Sequence, residues 1–304
     1  MTDFVKFPLD KFERDAFDRF SATSNFDLGT ARALMWVSQL VYQAEDLHAL
    51  ANVVRDAWGF QSMDSFVRGD LQRVTTGVIG ERADAVVLAF AGTDPGILQT
   101  LLTDAKAKRD ANDIHVGFDE ASVVAKENTL KAAQQAMRAN KPLFIAGHSL
   151  GGALSALAAR ECLAVQAPRA IYTFGMPRVG GETFAKSYNE SVLGPVTYRL
   201  VHGDDIVPRV PLSDWGYRHV GRLLQCITDG KFDPAAALSP LPSDDPTLAA
   251  SLLPAINNYV ANVFSLKILG RPGPMPGLLG ESFRFLAPPI RRHLQDYYID
   301  ALRP

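Results

Sequence analysis

Cysteine is almost missing from this chain: Cys162 and Cys226 are the only two among 304 residues. So small a number, so widely spaced, excludes a disulfide-framed scaffold and any cysteine-based metal spacing, and points to two free, buried thiols. An excess of either charge is also missing. Lys and Arg total 31 against 33 Asp and Glu, a net charge of −2, which gives no electrostatic reason to expect nucleic acid or an anionic membrane surface as a partner. No apolar run is long and clean enough to span a bilayer. Residues 249–269 come nearest, but Pro254, Asn257, Asn258, Asn262 and Lys267 interrupt them, so no transmembrane segment is expected. The start, Met1-Thr2-Asp3-Phe4-Val5-Lys6, lacks the basic stretch and apolar core of a secretory signal. The expectation is a cytoplasmic chain, or a secreted one from which a leader has been removed. No internal repeat is found.

What is present is ordinary globular material, 47% hydrophobic and 21% charged, ample for a sizeable core. Leu28 to Gln43 has apolar residues at helical spacing (Leu34, Val37, Leu40, Val41), and residues 46–58 read as a second helix ending at Gly59. Val74–Ile79 and Val86–Phe90 read as strands joined in a hairpin through 80–84. Residues 118–139 read as a long helix closed by Asn140 and Lys141-Pro142. Strands are expected at Leu143–Ala146, Ala170–Phe174 and Val196–Val201, with a helical stretch near Glu182–Ser191. Strands alternating with helices predict βαβ units and a mostly parallel sheet, the early hairpin adding an antiparallel part. Gly230 to Pro289 breaks this pattern. It is rich in proline yet carries apolar blocks such as Leu252-Leu253 and Tyr259-Val260, and reads as an irregular insertion that packs on the body or covers a site.

The chemistry concentrates at Leu143-Phe144-Ile145-Ala146-Gly147-His148-Ser149-Leu150-Gly151-Gly152. A short apolar run enters Gly-x-Ser-x-Gly, and an alanine-rich helix follows. This is the strand–turn–helix setting of a nucleophile elbow, in which a strained turn lifts a serine above the end of a sheet. A Cβ at Gly147 or Gly151 would clash in so tight a turn. The helix N-terminus beside Ser149 favours the negative charge of a tetrahedral oxyanion. A glycine-rich turn whose serine merely caps the helix is the plainer reading, but a cap does not need the buried strand end or the small-residue helix.

Ser149 would need a base, and the base an orienting acid, in the chain order Ser, Asp or Glu, His. His202-Gly203-Asp204-Asp205-Ile206-Val207-Pro208 leaves the strand at 196–201, and both Asp204 and Asp205 qualify. Among the later histidines His293, on a loop near the C-terminus, fits the order better than His219; His48 and His115 precede the serine and read as structural, His202 ends the strand before the acid, and His148 is the variable position of the elbow, pointing away from Ser149.

These residues resemble the fungal-type class 3 lipases, members of the α/β-hydrolase fold. Val86–Thr93 is similar to the family strand that ends in the oxyanion loop, and Leu102-Thr103-Asp104 to the end of the lid segment. Ile114–Phe118 resembles the His-x-Gly-Phe entry to the long helix, Gly147–Gly152 the elbow, and Thr173–Gly180 the strand and turn after it. Asp205-Ile206-Val207-Pro208 resembles the acid motif and His293-Leu294-x-x-Tyr297 the histidine segment. The resemblance implies Ser149 as nucleophile, His293 as general base and later acid, Asp205 rather than Asp204 as its orienter, and the N–H groups of Thr93 and Leu150 as oxyanion hole. It implies a single α/β-hydrolase domain over 1–304, with a mixed, mostly parallel central sheet flanked by helices. Residues 94–104 would be an apolar lid (Ile97, Leu98, Leu101, Leu102) and residues 230–289 an insertion or cap before the histidine. Differences from the family pattern fall at Ala91, where arginine is common, at Leu101, where tryptophan is common in the lid, and in the length of the insertion. The implied activity is that of a serine carboxylic-ester hydrolase of triacylglycerol-lipase type, needing no cofactor or metal and acting on a lipid or ester, in some relatives at a lipid–water interface. A short-chain esterase or phospholipase is the near alternative. A catalytically silent hydrolase fold used as a binding module, or a membrane-inserted structural protein using the insertion, is the alternative of another class.

Overall fold

The computed structural model describes residues 6–69, 74–92, 108–226, 230–233, 235–236, 238–239 and 292–304. The expected lid at 94–104, Thr93, the 249–269 run and all but a few residues of the 230–289 insertion lie outside these.

A seven-stranded sheet in the order β1-β2-β3-β4-β5-β7-β9 forms the centre, from β1 (Phe60–Gly69), β2 (Val74–Arg82), β3 (Val86–Phe90), β4 (Leu143–His148), β5 (Ala170–Phe174), β7 (Thr197–His202) and β9 (Arg222–Cys226). A two-residue pair, β6 (Gly180–Gly181) with β8 (Tyr217–Arg218), stands apart. The hairpin β2–β3 and the edge pair β1–β2 are antiparallel, and every pairing from β3 to β9 is parallel. The fold is thus the expected mixed, mostly parallel sheet of an α/β-hydrolase, flanked by helices.

Period-two alternation divides the strands between two cores. Val87, Ala89, Phe144, Ala146, Tyr172 and Phe174 face one side, with α1 (Leu28–Val41), Trp58 and the C-terminal helix α6 (Gln295–Leu302). Leu88, Phe90, Leu143, Ile145 and Ile171 face the other, with α3 (Val116–Ala139), α4 (Leu150–Cys162) and α5 (Glu182–Glu190). The helices begin and end where their residues allow. Asp27 caps α1 by accepting from the Thr30 N–H at 2.6 Å, and His115 caps α3 by accepting from Gly117 N–H at 3.1 Å. Asn140 ends α3 at φ +53°, a left-handed conformation that asparagine tolerates. The helix expected at 46–58 is reduced to one α-turn, α2 (Ala51–Val54), between looser turns; it has no side-chain cap and contains the β-branched pair Val53-Val54. Among the described residues, no helix is long and apolar enough to cross a membrane. Both cysteines are free and buried, as expected.

Candidate active site

The site begins at the end of β4. Ser149 has φ +59° and ψ −129°, a strained backbone that a non-glycine residue holds only when its surroundings enforce it. They do so through hydrogen bonds on both sides: Ser149 N–H donates to Phe174 O at 2.8 Å, and Ser149 O accepts from Gly152 N–H at 2.9 Å. The flanking glycines are sterically required. A Cβ on Gly147 would meet Gly151 O at 2.1 Å, and one on Gly151 would meet Phe90 O at 2.2 Å. Leu150 opens α4 directly after the serine, so its N–H is one of the free donors of a helix N-terminus. The other expected oxyanion donor, Thr93, lies outside the described residues.

The loop after β7 carries the expected acid, Asp205. Asp205 is fully buried. Its Oδ1 accepts from Val207 N–H at 2.9 Å, and its Oδ2 accepts from His293 Nδ1 at 2.9 Å and from the Tyr298 hydroxyl at 2.6 Å. A carboxylate only accepts, so Nδ1 of His293 carries the proton, and in the neutral ring Nε2 keeps its lone pair. That Nε2 is buried and has no hydrogen-bond partner among the described residues. Ser149 and His293 are therefore not hydrogen-bonded to each other, an open arrangement of the kind that tightens when substrate arrives. Asp204 takes another role. It pairs with Arg292, beside His293, at the rim of the site.

Gly175, at φ +60°, lets these groups approach: a Cβ there would lie 2.8 Å from both Asp205 Oδ2 and His293 Nδ1. The ring of His148 stacks on that of His293, with centroids 4.6 Å apart. This contact ties the elbow to the histidine loop. His219 is elsewhere, buried with Nε2 2.7 Å from Pro208 O. Sequence reasoning assigned no role to Tyr298, which hydrogen-bonds Asp205, or to Tyr42, which contacts His148. Tyr298 could have been noticed for lying five residues after His293; nothing in the sequence marks Tyr42. Burial and the neighbouring Asp205 push the Tyr298 hydroxyl well above its usual range, so it stays protonated and donates.

A serine on a strained turn after a central parallel strand, with an acid and a histidine on loops following it in chain order, defines the α/β-hydrolase class. Residues 87–215 match the family described as Lipase (class 3). The Secreted mono- and diacylglycerol lipase 1 of Fusarium solani is 41% identical over 109 residues, 35% of this chain and 32% of that protein. A lipase of Rhizopus niveus is 33% identical over 156 residues, 46% of this chain and 38% of that protein. The chain thus spans about a third to a half of the length of the curated relatives it matches. Among solved structures, the lipase of Rhizopus microsporus var. chinensis superimposes with a TM-score of 0.57 over 79% of this chain and 88% of that one, at 21% identity, a likeness of fold. His293 lies beyond the matched segment, and its assignment rests on the geometry around Asp205.

Proposed function

We propose that this chain is a serine carboxylic-ester hydrolase of triacylglycerol-lipase type, with Ser149, His293 and Asp205 as its catalytic triad. The observation that carries the reading is the His293 ring, held by Nδ1 on the buried Asp205 with a lone pair left on an unpartnered Nε2, and stacked on His148, the residue before the serine of a strained elbow. His293 takes the Ser149 proton as the hydroxyl attacks the ester carbonyl, then gives it to the leaving alcohol. Water repeats the cycle on the acyl-enzyme and releases the acid. The Leu150 N–H and, by the resemblance, the Thr93 N–H receive the oxyanion; such a donor is worth about 3 kcal/mol in the transition state.

The relatives' names support an acylglycerol as the substrate class. The apolar stripe Ile97, Leu98, Leu101 and Leu102 is the proposed lid and acyl-chain contact, each buried methylene contributing about 0.8 kcal/mol. One α/β-hydrolase domain over 1–304, with 230–289 as a cap, is the proposed organisation. Secretion, printed in the names of two relatives, is the proposed compartment, checked by assaying medium against cell pellet.

A fluorophosphonate probe tests the chemistry: the chain labels, and Ser149→Ala does not. A silent binding module would leave both unlabelled. A panel of p-nitrophenyl esters and emulsified acylglycerols then fixes the substrate. On that panel the Leu101→Ser, Leu102→Ser double variant loses turnover on emulsions more than on soluble esters; equal losses would remove the lid from the reading.

A further inference from the structure

Gly92 immediately precedes Thr93 on the way out of β3. Its N–H donates to the Tyr42 hydroxyl at 2.9 Å, and a Cβ at this glycine would meet that oxygen at 2.2 Å. The same hydroxyl lies 3.1 Å from His148 Nδ1, and His148 Nε2 lies 2.8 Å from the backbone oxygen of His293. A carbonyl only accepts, so His148 carries its proton on Nε2, and Nδ1 accepts from Tyr42. A single neutral tautomer satisfies every contact. Burial, reinforced by the nearby charge of His293, drives the His148 pKa well below its ordinary value and keeps the ring neutral. Burial pushes the Tyr42 phenol up, so it remains a donor. Tyr298 closes the third side of the His148 ring at 5.7 Å, edge to face.

Three segments remote in sequence therefore meet on one imidazole and one hydroxyl: the strand end before Thr93, the residue before the nucleophile, and the backbone of the base. We propose that His148 and Tyr42 are positioning residues that lock the base loop and the start of the oxyanion loop onto the elbow, setting the reach of His293 Nε2 toward Ser149. This rests on the ester-hydrolase reading above. A ring that only filled space would need its shape, not its two nitrogens.

The test uses the full chain with Tyr42→Phe and His148→Phe, singly and together, on soluble p-nitrophenyl butyrate, with Tm measured for each. Each single variant is expected to lower kcat by about tenfold while KM stays within about twofold, and the double to be no worse than the poorer single, as for residues acting as a unit. His148→Gln, whose amide can accept from Tyr42 and donate to the His293 carbonyl, recovers most of the loss. Unchanged kcat in Tyr42→Phe, losses that multiply in the double variant, or a Gln variant no better than Phe would overturn the proposal. Tyr42→Phe deletes one oxygen and decides the matter even where His148→Phe does not fold. A second readout needs no turnover. By 15N NMR His148 should be an Nε2–H neutral ring at neutral pH, and Tyr42→Phe should shift the His293 ring nitrogens; a charged His148 or unmoved His293 signals would sink the proposal. A wild-type chain that hydrolyses no ester defeats the functional reading alone and leaves the NMR result to decide this one.

Discussion

Asp205 illustrates how much one buried side chain can be asked to do. Its two oxygens accept three hydrogen bonds, from Val207 N–H, His293 Nδ1 and the Tyr298 hydroxyl. Asn in its place has one acceptor oxygen and one NH2. The backbone N–H of Val207 claims the oxygen, because leaving a buried amide unpaired costs about 1–3 kcal/mol. The NH2 then faces His293, which must turn Nδ1 into an acceptor and move its proton to Nε2. A protonated Nε2 cannot take the serine proton. Asp205→Asn is therefore expected to lower kcat by about four orders of magnitude, the size seen when a triad histidine is held in the wrong tautomer. Steady-state kinetics on a soluble ester, with circular dichroism to verify folding, measures this. A loss below a hundredfold would mean that the carboxylate does not set the tautomer.

At the scale of elements, the elbow is a tightly constrained turn, and it was readily legible. Gly147 and Gly151 stand where any Cβ would sit at about van der Waals overlap with backbone, and the alanines of α4 allow it to lie close on the sheet. Gly147→Ala is expected to yield insoluble or inactive protein, since the clash at 2.1 Å is with backbone that cannot step aside. Soluble expression and fluorophosphonate labelling check it, and a labelled, fully soluble variant would show the turn to be less tight than drawn. The parallel strands were also readable, because burial on both faces makes Val86–Phe90 a continuous apolar run and leaves only Thr173 polar in Ala170–Phe174. The strand β1 was not. Only Phe60 and Phe66 along it are buried, and Gln61, Ser62, Ser65 and Arg68 face water on the edge of the sheet, so its identity comes from pairing with β2 rather than from its own pattern. The same holds for β9, where Arg222 and Gln225 interrupt the apolar residues and pairing with β7 defines the strand. The residues of the proposed triad could be nominated one by one from chain order, but the choice between Asp204 and Asp205 was a matter of which carboxylate turns inward. The contact of Tyr42 with His148 spans 106 residues and leaves no local trace.

At the scale of the whole molecule, the first and last described segments meet on one side of the sheet. The N-terminal segment crosses the α1 face, where Phe12 packs on Trp36 and Trp58, and Arg32 from α1 binds Glu13 at 2.5 Å and Asp15 at 2.8 Å. Arg303, past the end of α6, reaches the same Glu13 at 2.5 Å, so one carboxylate joins the first segment, the first helix and the last. Elsewhere Lys6 holds Glu45, and Lys141 holds Glu81. Hydrogen bonds from these cations lower the pKa values of Asp15, Glu45 and Glu81 below their ordinary values. A carboxylate whose folded-state pKa is depressed adds stability that is complete above its unfolded value and is lost as the pH falls through the folded one. The Tm should therefore be level from about pH 8 to 5 and drop below about pH 4, where these carboxylates take up protons. Arg32→Gln removes the partner that lowers Asp15 and leaves Glu13 with fewer donors. It is expected to lower the Tm at neutral pH and to make the acid limb shallower, because part of what acid would destroy is already gone. Calorimetric Tm values for both proteins between pH 3 and 8 supply the comparison. Two curves that run parallel down to pH 3 would mean that the Arg32 ion pairs contribute nothing to the acid sensitivity of the fold.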